Sequence, residues 1–373
     1  MKVHTNRLCS TLEDLETGAI EKANVDLLLV HGDITFLEDD FFLEKLKDSM
    51  PNAEIIGCSS IGEFINNEAD EGTIVYSAID LEKTTTKSFR ITKGEQIQTD
   101  FDAGQAISKS LAAPDLKCIL LLYDIFAVDS DDFIKGVESL LPDGLPILGG
   151  AAADNFEYER TVVIDKNGVY DNGFVALGLY GDSLVVNTKS SYFDQEGSII
   201  NITKADENKV FEINGQPAAQ EYKKLLNGQE HLLPNIAAVY PFVFLDSEDK
   251  PLYCRKVIQV IEEENALLFS LPMPLGRFRV VDLSEENLFV KDAQRTVSEV
   301  ATPKNEFSYI INCCARRGEM GNLSSAEAEV IHESLGGCPL IGFYSFSEIG
   351  RSSDDSANIV NNVTVTIGAF YEI

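Results

Sequence analysis

The sequence predicts an α/β protein of two domains, 1–200 and 201–373, with mixed, largely parallel sheets. Three observations lead to this class. A buried apolar strand is followed three times by a segment of helical period and then by a short strand that runs into glycine. Each of these strand–helix–strand units is followed by alternating apolar and polar residues, which are typical of antiparallel hairpins. The length of 373 residues suits about two domains.

The first unit begins with the apolar run at 25–33. The segment that follows has apolar residues at helical spacing up to Met50, and Pro51 and Asn52 predict the end of the helix. The second strand of the unit then runs into Gly57. Two strands joined by a crossover helix favour parallel pairing.

The second unit has its first strand at 116–124 and a helix face formed by 133–141. Candidate residues to cap this helix are Asp129, Ser130, Asp131 and Asp132. Pro142 and Gly144 end the helix, and the following strand runs into Gly149 and Gly150.

The third unit begins within 307–320, and Ser324 and Ser325 predict the start of its helix. Gly336 and Gly337 end that helix, and the last strand of the unit runs into Gly342.

The ends of the first and third units align with each other. Residues 55–64 match 340–349 at Gly57 and Gly342, Ser60 and Ser345, and Glu63 and Glu348. The middle unit keeps Gly149 in register but has Ala152 in place of the serine and Asn155 in place of the glutamate. This pattern predicts an internal repeat, with the loops near Gly57 and Gly342 close together in space.

Other segments predict antiparallel structure. Asn167-Gly168 is a strong hairpin signal. A short helix is predicted over 214–228, followed by a three-stranded meander formed by 240–245, 252–261 and 266–271. The polar stretch at 194–209 lacks a firm period, so the domain boundary is placed near 190–210.

The chain is strongly acidic, with 61 Asp and Glu against 30 Lys and Arg and a net charge of −31. Such a charge disfavours nucleic acid and anionic membrane surfaces as partners. No apolar run approaches the roughly 18 residues of a membrane span, and the N-terminus lacks the apolar core of a signal peptide. We therefore expect a cytoplasmic protein.

The seven cysteines include no CxxC pair, and the four histidines are far apart in the sequence. These spacings predict reduced thiols and no structural zinc. We expect neither a metal nor a cofactor.

Several residues are candidates for chemistry at the carboxyl ends of strands, where α/β sheets bind ligands. Cys58 follows a strand and is either a nucleophile or a small packed residue. Glu63 and Glu348 are either an acid/base pair or receptors for an ammonium group in one cleft, or else each caps a local turn or pairs with a nearby lysine. Arg255 or Arg316 would anchor a ligand carboxylate, or would be solvated.

Several separated motifs resemble the FIST domain, with an N-terminal part followed by a C-terminal part. They are GCSSIGEF at 57–64, GGAAADNFEYERTVVIDKNGVYDNGFVALGLYG at 149–181, INGQPAAQEYKKLL at 213–226, YCRKVI at 253–258, LPMPLGRFRVVD at 271–282, and CARRGEMG with GGCPLIGFYSFSEIG at 314–321 and 336–350. The resemblance implies an intracellular sensory module that binds small ligands such as amino acids, without an output domain of its own. FIST domains usually carry a histidine beside the asparagine before the final strand, whereas this chain has Asn361-Asn362.

Three functions follow as hypotheses. The first is a cytoplasmic sensor in signal transduction that binds an amino acid or a similar small carboxylate. The second is a hydrolase or isomerase that uses Glu63, Glu348 or Cys58, and the third is a protein-interaction scaffold. No catalytic residue is assigned. The predicted ligand site comprises Gly57, Cys58, Ser59, Ser60, Glu63, Gly149, Gly150, Asn155, Arg255, Arg316, Gly342, Tyr344, Ser345, Glu348 and Asn362.

Overall fold

A computed structural model describes residues 1–8, 15–92, 94, 97, 99–127, 131–285, 287–353 and 356–373. It contains mixed sheets covered by helices, so the predicted α/β class is confirmed. The candidate cap residues Asp129 and Ser130 lie outside the described residues.

Three six-stranded sheets form the body of the protein. In spatial order, the first sheet contains β1 (Lys2–Leu8), β6 (Ile74–Asp80), β2 (Leu27–Gly32), β3 (Glu54–Ser59), β10 (Val163–Asp165) and β11 (Gly168–Tyr170). The second contains β7 (Thr85–Thr92), β12 (Gly173–Tyr180), β8 (Leu116–Tyr123), β9 (Ile147–Ala151), β24 (Glu348–Gly350) and β25 (Ile359–Asn361). The third contains β13 (Leu184–Ser190), β26 (Val365–Glu372), β22 (Phe307–Cys313), β23 (Leu340–Ser345), β4 (Glu63–Ile65) and β5 (Glu68–Asp70).

The three sheets share one plan. Each has one parallel pair, namely β2 with β3, β8 with β9, and β22 with β23, and its other pairs are antiparallel. The mixed sheets are as predicted, but they are not largely parallel, because antiparallel strands flank each parallel pair. After the second parallel strand, the chain leaves its own sheet and forms a short hairpin at the edge of another. Thus β4–β5 joins the third sheet, β10–β11 joins the first and β24–β25 joins the second. The crossing hairpins bind the three sheets to one another.

The fourth sheet lies between β13 and β22 in the sequence and is antiparallel. Its strands, in spatial order, are β18 (Pro251–Arg255), β17 (Phe242–Leu245), β21 (Gly276–Val281), β14 (Gly197–Asp206), β15 (Lys209–Ile213), β20 (Ala266–Phe269) and β19 (Val257–Ile261), and β16 (Gln216–Pro217) pairs with β15. The predicted meander is wrong in one respect. Residues 252–261 do not form one strand, because the chain breaks at Lys256 and sends β18 and β19 to opposite edges.

The helices cover the sheets. They are α1 (Ile34–Leu37), α2 (Asp40–Ser49), α3 (Asp100–Leu111), α4 (Asp131–Glu138), α5 (Ala218–Lys224), α6 (Leu288–Val300), α7 (Cys314–Met320) and α8 (Ser324–Ser334), with short 3-10 turns at Lys22–Asn24, Glu230–Leu232, Asn235–Val239, Glu262–Glu264 and Gly321–Leu323. The sequence predicted α2, α4, α5 and α8, whereas α3 and α6 were not foreseen. Asp39 caps α2, since its carboxylate accepts from the Phe41 amide.

The strand glycines have a packing role. A Cβ at Gly57 would lie 2.0 Å from the Val30 carbonyl oxygen, and one at Gly149 would lie 1.7 Å from the Leu121 carbonyl oxygen. Gly342 is equally crowded by Ile310. In each unit the glycine therefore lets two parallel strands approach, and this accounts for its presence without any ligand.

The proposed boundary near residue 200 stays a prediction. Strand β13, on its N-terminal side, pairs with β26, and the hairpin β4–β5 pairs with β23. Both pairings join residues from opposite sides of the boundary. No helix among the described residues combines the length and apolar character needed to cross a membrane.

Candidate functional site

Two buried glutamates occupy equivalent places. Glu63 begins β4 and is paired with Phe343, and Glu348 begins β24 and is paired with Gly150. The Ser60 hydroxyl donates to Glu63 over 2.6 Å, and the Ser345 hydroxyl donates to Glu348 over 2.9 Å. The second oxygen of each carboxylate accepts from a threonine, Thr73 or Thr364 respectively, at 2.8 and 2.9 Å.

The two clusters fix the chain where it crosses between sheets. Burial raises the pKa of Glu63 to about 7, although its hydroxyl partners and Arg317 oppose the shift. Burial also raises the pKa of Glu348 well above its ordinary value. Each carboxylate is already satisfied by local hydroxyls, so its contacts account for a structural role. The prediction that these glutamates receive a ligand ammonium stays a prediction.

The loops that follow Gly57 and Gly342 lie together, as the sequence predicted. The Tyr344 amide donates to the Gly62 carbonyl over 2.8 Å, and the Ile61 amide approaches the Tyr344 carbonyl at 3.5 Å. The first and third units therefore meet along β4 and β23.

The middle unit departs from the sequence alignment. Asn155 is exposed, and its amide donates to the Asp33 carboxylate over 3.0 Å. The residue that takes the place of Glu63 and Glu348 is Val163, because it begins a crossing strand and pairs with Cys58, directly after Gly57. The loop between β9 and β10 is longer than its counterparts, so an ungapped alignment selected the wrong residue.

Cys58 has a partner that the sequence did not reveal. Its sulfur lies 3.4 Å from His31 Nδ1, and the other ring nitrogen of His31 lies 2.9 Å from the Tyr309 hydroxyl. All three side chains are buried. Burial raises the pKa of Cys58 well above its usual range and lowers that of His31 to about 3. Both groups are therefore neutral at pH 7, unlike an activated thiolate–imidazolium pair.

The two predicted arginine anchors are both engaged by carboxylates of the protein itself. Arg255 is buried, and its Nη2 atom contacts the two Asp131 carboxylate oxygens at 3.0 and 2.8 Å. Arg316 is also buried and is bound by Asp292 at 2.8 Å and by Glu327. A ligand carboxylate would have to displace one of these partners.

The other predicted residues also have contacts within the protein. The Ser59 hydroxyl accepts from the Val162 amide over 3.1 Å, and Asn362 accepts from the Ser270 hydroxyl. Tyr344 is fully buried, and its hydroxyl forms no well-aligned hydrogen bond with the described residues, although the Ser324 side chain lies near it. These groups are engaged within the protein, and the predicted ligand site stays a prediction.

A cleft of about 550 Å³ lies between α4 and β25 on one side and β18 and the 272–274 turn on the other. This volume is within the range of small-molecule pockets. Its apolar wall includes Pro272, Met273, Pro274 and Ile359, and its charged groups are Asp131, Asp132, Lys135, Glu138 and Glu207.

The contacts of these charged groups divide them into two kinds. Asp131 holds Arg255, and one Glu138 oxygen accepts from the backbone and side-chain amides of Asn358 at 2.9 and 2.8 Å. Lys135 and Asp132 form an exposed ion pair of 2.7 Å. Such a pair is held weakly, so both its charges are accessible to a ligand.

The sequence missed this cleft because its walls are distant in the chain. It treated Asp131 and Asp132 only as helix-capping residues, and it gave no role to Lys135 or Tyr253. Among the described residues, no group of three or more His, Cys, Asp and Glu side chains is placed to hold a metal ion. The six described cysteines are free.

The family models of the FIST N domain and the FIST C domain match residues 26–216 and 218–351. The chain belongs to the FIST family. FIST domains are associated with sensing in signal transduction and with the binding of small ligands.

A curated relative is an uncharacterised protein, MJ1623, of Methanocaldococcus jannaschii. It is 22% identical over 304 residues, which cover 73% of this chain and 57% of the relative. Among solved structures, the cyanuric acid hydrolase from A. caulinodans aligns with 100% of this chain and 99% of its own, at 8% identity and a TM-score of 0.38. Another cyanuric acid hydrolase structure aligns at 9% identity and a TM-score of 0.33.

Proposed function

We propose that this FIST protein is a sensor that binds an amino acid, or a similar small carboxylate bearing an ammonium group, in the 550 Å³ cleft. The single observation that carries the proposal is the cleft itself. It is of ligand size, and it lies between α4 of the FIST N part and β18 of the FIST C part. Small-molecule sites occur preferentially at such junctions.

The charges of the cleft suit a zwitterion. Asp132 and Lys135 present one negative and one positive group 2.7 Å apart. The ligand ammonium would bind Asp132 and its carboxylate would bind Lys135, and both would replace an ion pair that contributes about 0–1 kcal/mol at an exposed site. The apolar wall would pack against the ligand side chain.

Arg255 has a positioning role in this proposal. From β18 it reaches Asp131 of α4, and its Nη1 atom donates to the Val360 carbonyl of β25 over 2.6 Å. One buried side chain thus connects the fourth sheet to both elements on the other side of the cleft. A ligand that spans the cleft would change the contacts of Arg255 with Asp131 and Val360. Ligand binding could thereby alter how the fourth sheet packs against α4 and β25.

The contacts of Cys58 and His31 do not favour the enzyme hypothesis. Both are buried and neutral, and Glu63 and Glu348 are bound to local hydroxyls. A sensor requires only differential binding, which the proposed site would supply without a nucleophile or a general base.

The test is a thermal-shift screen of the amino acids, each with its matching amine and its matching deaminated acid. A ligand at 100 times its Kd adds about 2.7 kcal/mol to the free energy of unfolding. We expect amino acids to bind more tightly than either partial analogue, since each analogue lacks one of the two charges. Calorimetry then measures Kd.

The variants Asp132→Asn and Lys135→Gln should each weaken binding about tenfold. The matched control is Lys109→Gln, because Lys109 is an exposed lysine of the neighbouring helix α3 that bonds to Gln105 and does not line the cleft. The proposal fails if no amino acid binds, or if the two cleft variants bind as tightly as the control.

A further inference from the structure

A second, smaller pocket of about 220 Å³ lies between the β4–β5 hairpin, α7, the start of α8 and β23. Arg317, Ser324, Ser325 and Tyr344 line it, with Asp70 and Glu71 from the hairpin. None of these residues lines the cleft of the proposed function. We propose that this pocket, which we call the Arg317 pocket, is a separate binding site for a small monocarboxylate.

Arg317 supplies the positive charge. It follows Arg316 on α7, and successive residues of a helix point about 100° apart, so one guanidinium is buried among carboxylates while the other reaches the pocket. Arg317 Nη1 donates to the Ile61 carbonyl, and Nη2 contacts the Glu71 carboxylate. Its guanidinium lies 5.5 Å from the centre of the Tyr344 ring.

Glu71 marks the position that a ligand carboxylate would take. Its side chain is 74% exposed, whereas that of Arg317 is only 15% exposed. An exposed carboxylate is held weakly and loses little by returning to water. A ligand carboxylate can therefore replace it on Arg317 with no net change of charge in the pocket.

Tyr344 provides the independent indication of a ligand. Its side chain is fully buried and lines the pocket, but its hydroxyl forms no well-aligned hydrogen bond with the described residues, although the Ser324 side chain lies near it. An unsatisfied buried polar group costs about 1–3 kcal/mol. A carboxylate bound to Arg317 would accept the missing hydrogen bond, so one ligand group would satisfy the hydroxyl and pair with the guanidinium.

The surrounding charges select a monoanion. Asp70 and Glu71 border the pocket, and the chain as a whole carries a charge of −31, so a dianion such as phosphate is disfavoured. Buried Glu63 also acts on the same guanidinium, since Arg317 lowers its pKa against the larger effect of burial. The volume admits a ligand of only a few heavy atoms.

The experiment is calorimetric titration of the whole chain with acetate, glycolate and inorganic phosphate at constant ionic strength. We expect the carboxylates to bind and phosphate to bind at least tenfold more weakly. Tyr344→Phe should weaken carboxylate binding about tenfold without destabilising the unliganded protein, because the lost hydroxyl forms no well-aligned hydrogen bond there. Glu71→Gln should tighten binding, because it removes the competing carboxylate.

Two controls locate the site. Arg160→Gln changes an exposed arginine that contacts Glu38 and Asp171, and it should leave the affinity unchanged. Lys109→Gln changes an exposed lysine that lines neither pocket, and it should also leave the affinity unchanged. Because Tyr344 does not line the cleft, the result for Tyr344→Phe tests this proposal separately from the proposed function. The inference is overturned if carboxylates do not bind, if phosphate binds more tightly, or if Tyr344→Phe binds as well as wild type. It is also overturned if Tyr344→Phe destabilises the unliganded chain and no carboxylate binds, which would indicate that water alone fills the pocket.

Discussion

Arg316→Met should lower the free energy of unfolding at pH 7 by about 3–5 kcal/mol. The Arg316 side chain is fully buried between Asp292 and Glu327, whose carboxylates are also fully buried. Methionine fills much of the volume but removes the only charge that faces both carboxylates in these ion pairs. Glu327 would then lose its positive partner in a medium of low dielectric constant, whereas Asp292 would keep its ion pair with the partly exposed Arg295.

Urea denaturation followed by circular dichroism measures this loss. The control Arg160→Met removes an arginine that is 53% exposed, and its effect should stay below about 1 kcal/mol. Adding Asp292→Asn and Glu327→Gln to Arg316→Met should recover part of the loss, because neutral amides carry no desolvated charge. A loss below 1 kcal/mol in Arg316→Met would contradict the structural role assigned to this network.

Glu63→Gln should remove a pH dependence of stability worth about 3 kcal/mol. Burial raises the folded-state pKa of Glu63 from 4.5 to about 7, and each unit corresponds to about 1.4 kcal/mol. A carboxyl whose pKa is raised on folding contributes stability that is fully present below its unfolded pKa. That contribution is lost as the pH rises through about 7, where the buried group becomes charged.

The measurement is urea denaturation of wild type and Glu63→Gln at several pH values from 4.5 to 8.5. The free energy of unfolding of the wild type should fall relative to that of the variant as the pH rises. Glu68→Gln is the matched control, since Glu68 belongs to the same hairpin and is 62% exposed. Parallel pH profiles for wild type and Glu63→Gln would show that the carboxyl keeps its ordinary pKa in the folded protein.

Local sequence patterns predicted much of the architecture. The three parallel pairs, their crossover helices and the Asn167-Gly168 hairpin were predicted because periodicity and turn residues act over a few positions. The crossing hairpins were not predicted. Strand β4 has three residues and pairs with β23, nearly 280 positions away, so neither its period nor its neighbours indicate the partner.

The residues of the candidate sites were also predicted only in part. The sequence identified Glu63 and Glu348 as equivalent residues, because the serine and the glycine repeat at fixed distances from them. It could not identify Thr73 and Thr364, which complete the two clusters from separate loops. It also treated the four histidines as unrelated to Cys58, whereas the parallel pairing of β2 and β3 places His31 beside it.

By itself, the sequence determined the strands and helices of the three repeated units and the family that the chain resembles. These properties depend on period and on motifs, both of which are local. Tertiary structure alone decided that Arg255 and Arg316 face protein carboxylates, that Arg317 faces a pocket and that a cleft opens beside Asp132 and Lys135. The physical reason is that burial and charge pairing depend on how distant segments of the chain pack together. An arginine is a structural ion where its partner carboxylate belongs to the protein, and a ligand anchor where that carboxylate belongs to the ligand.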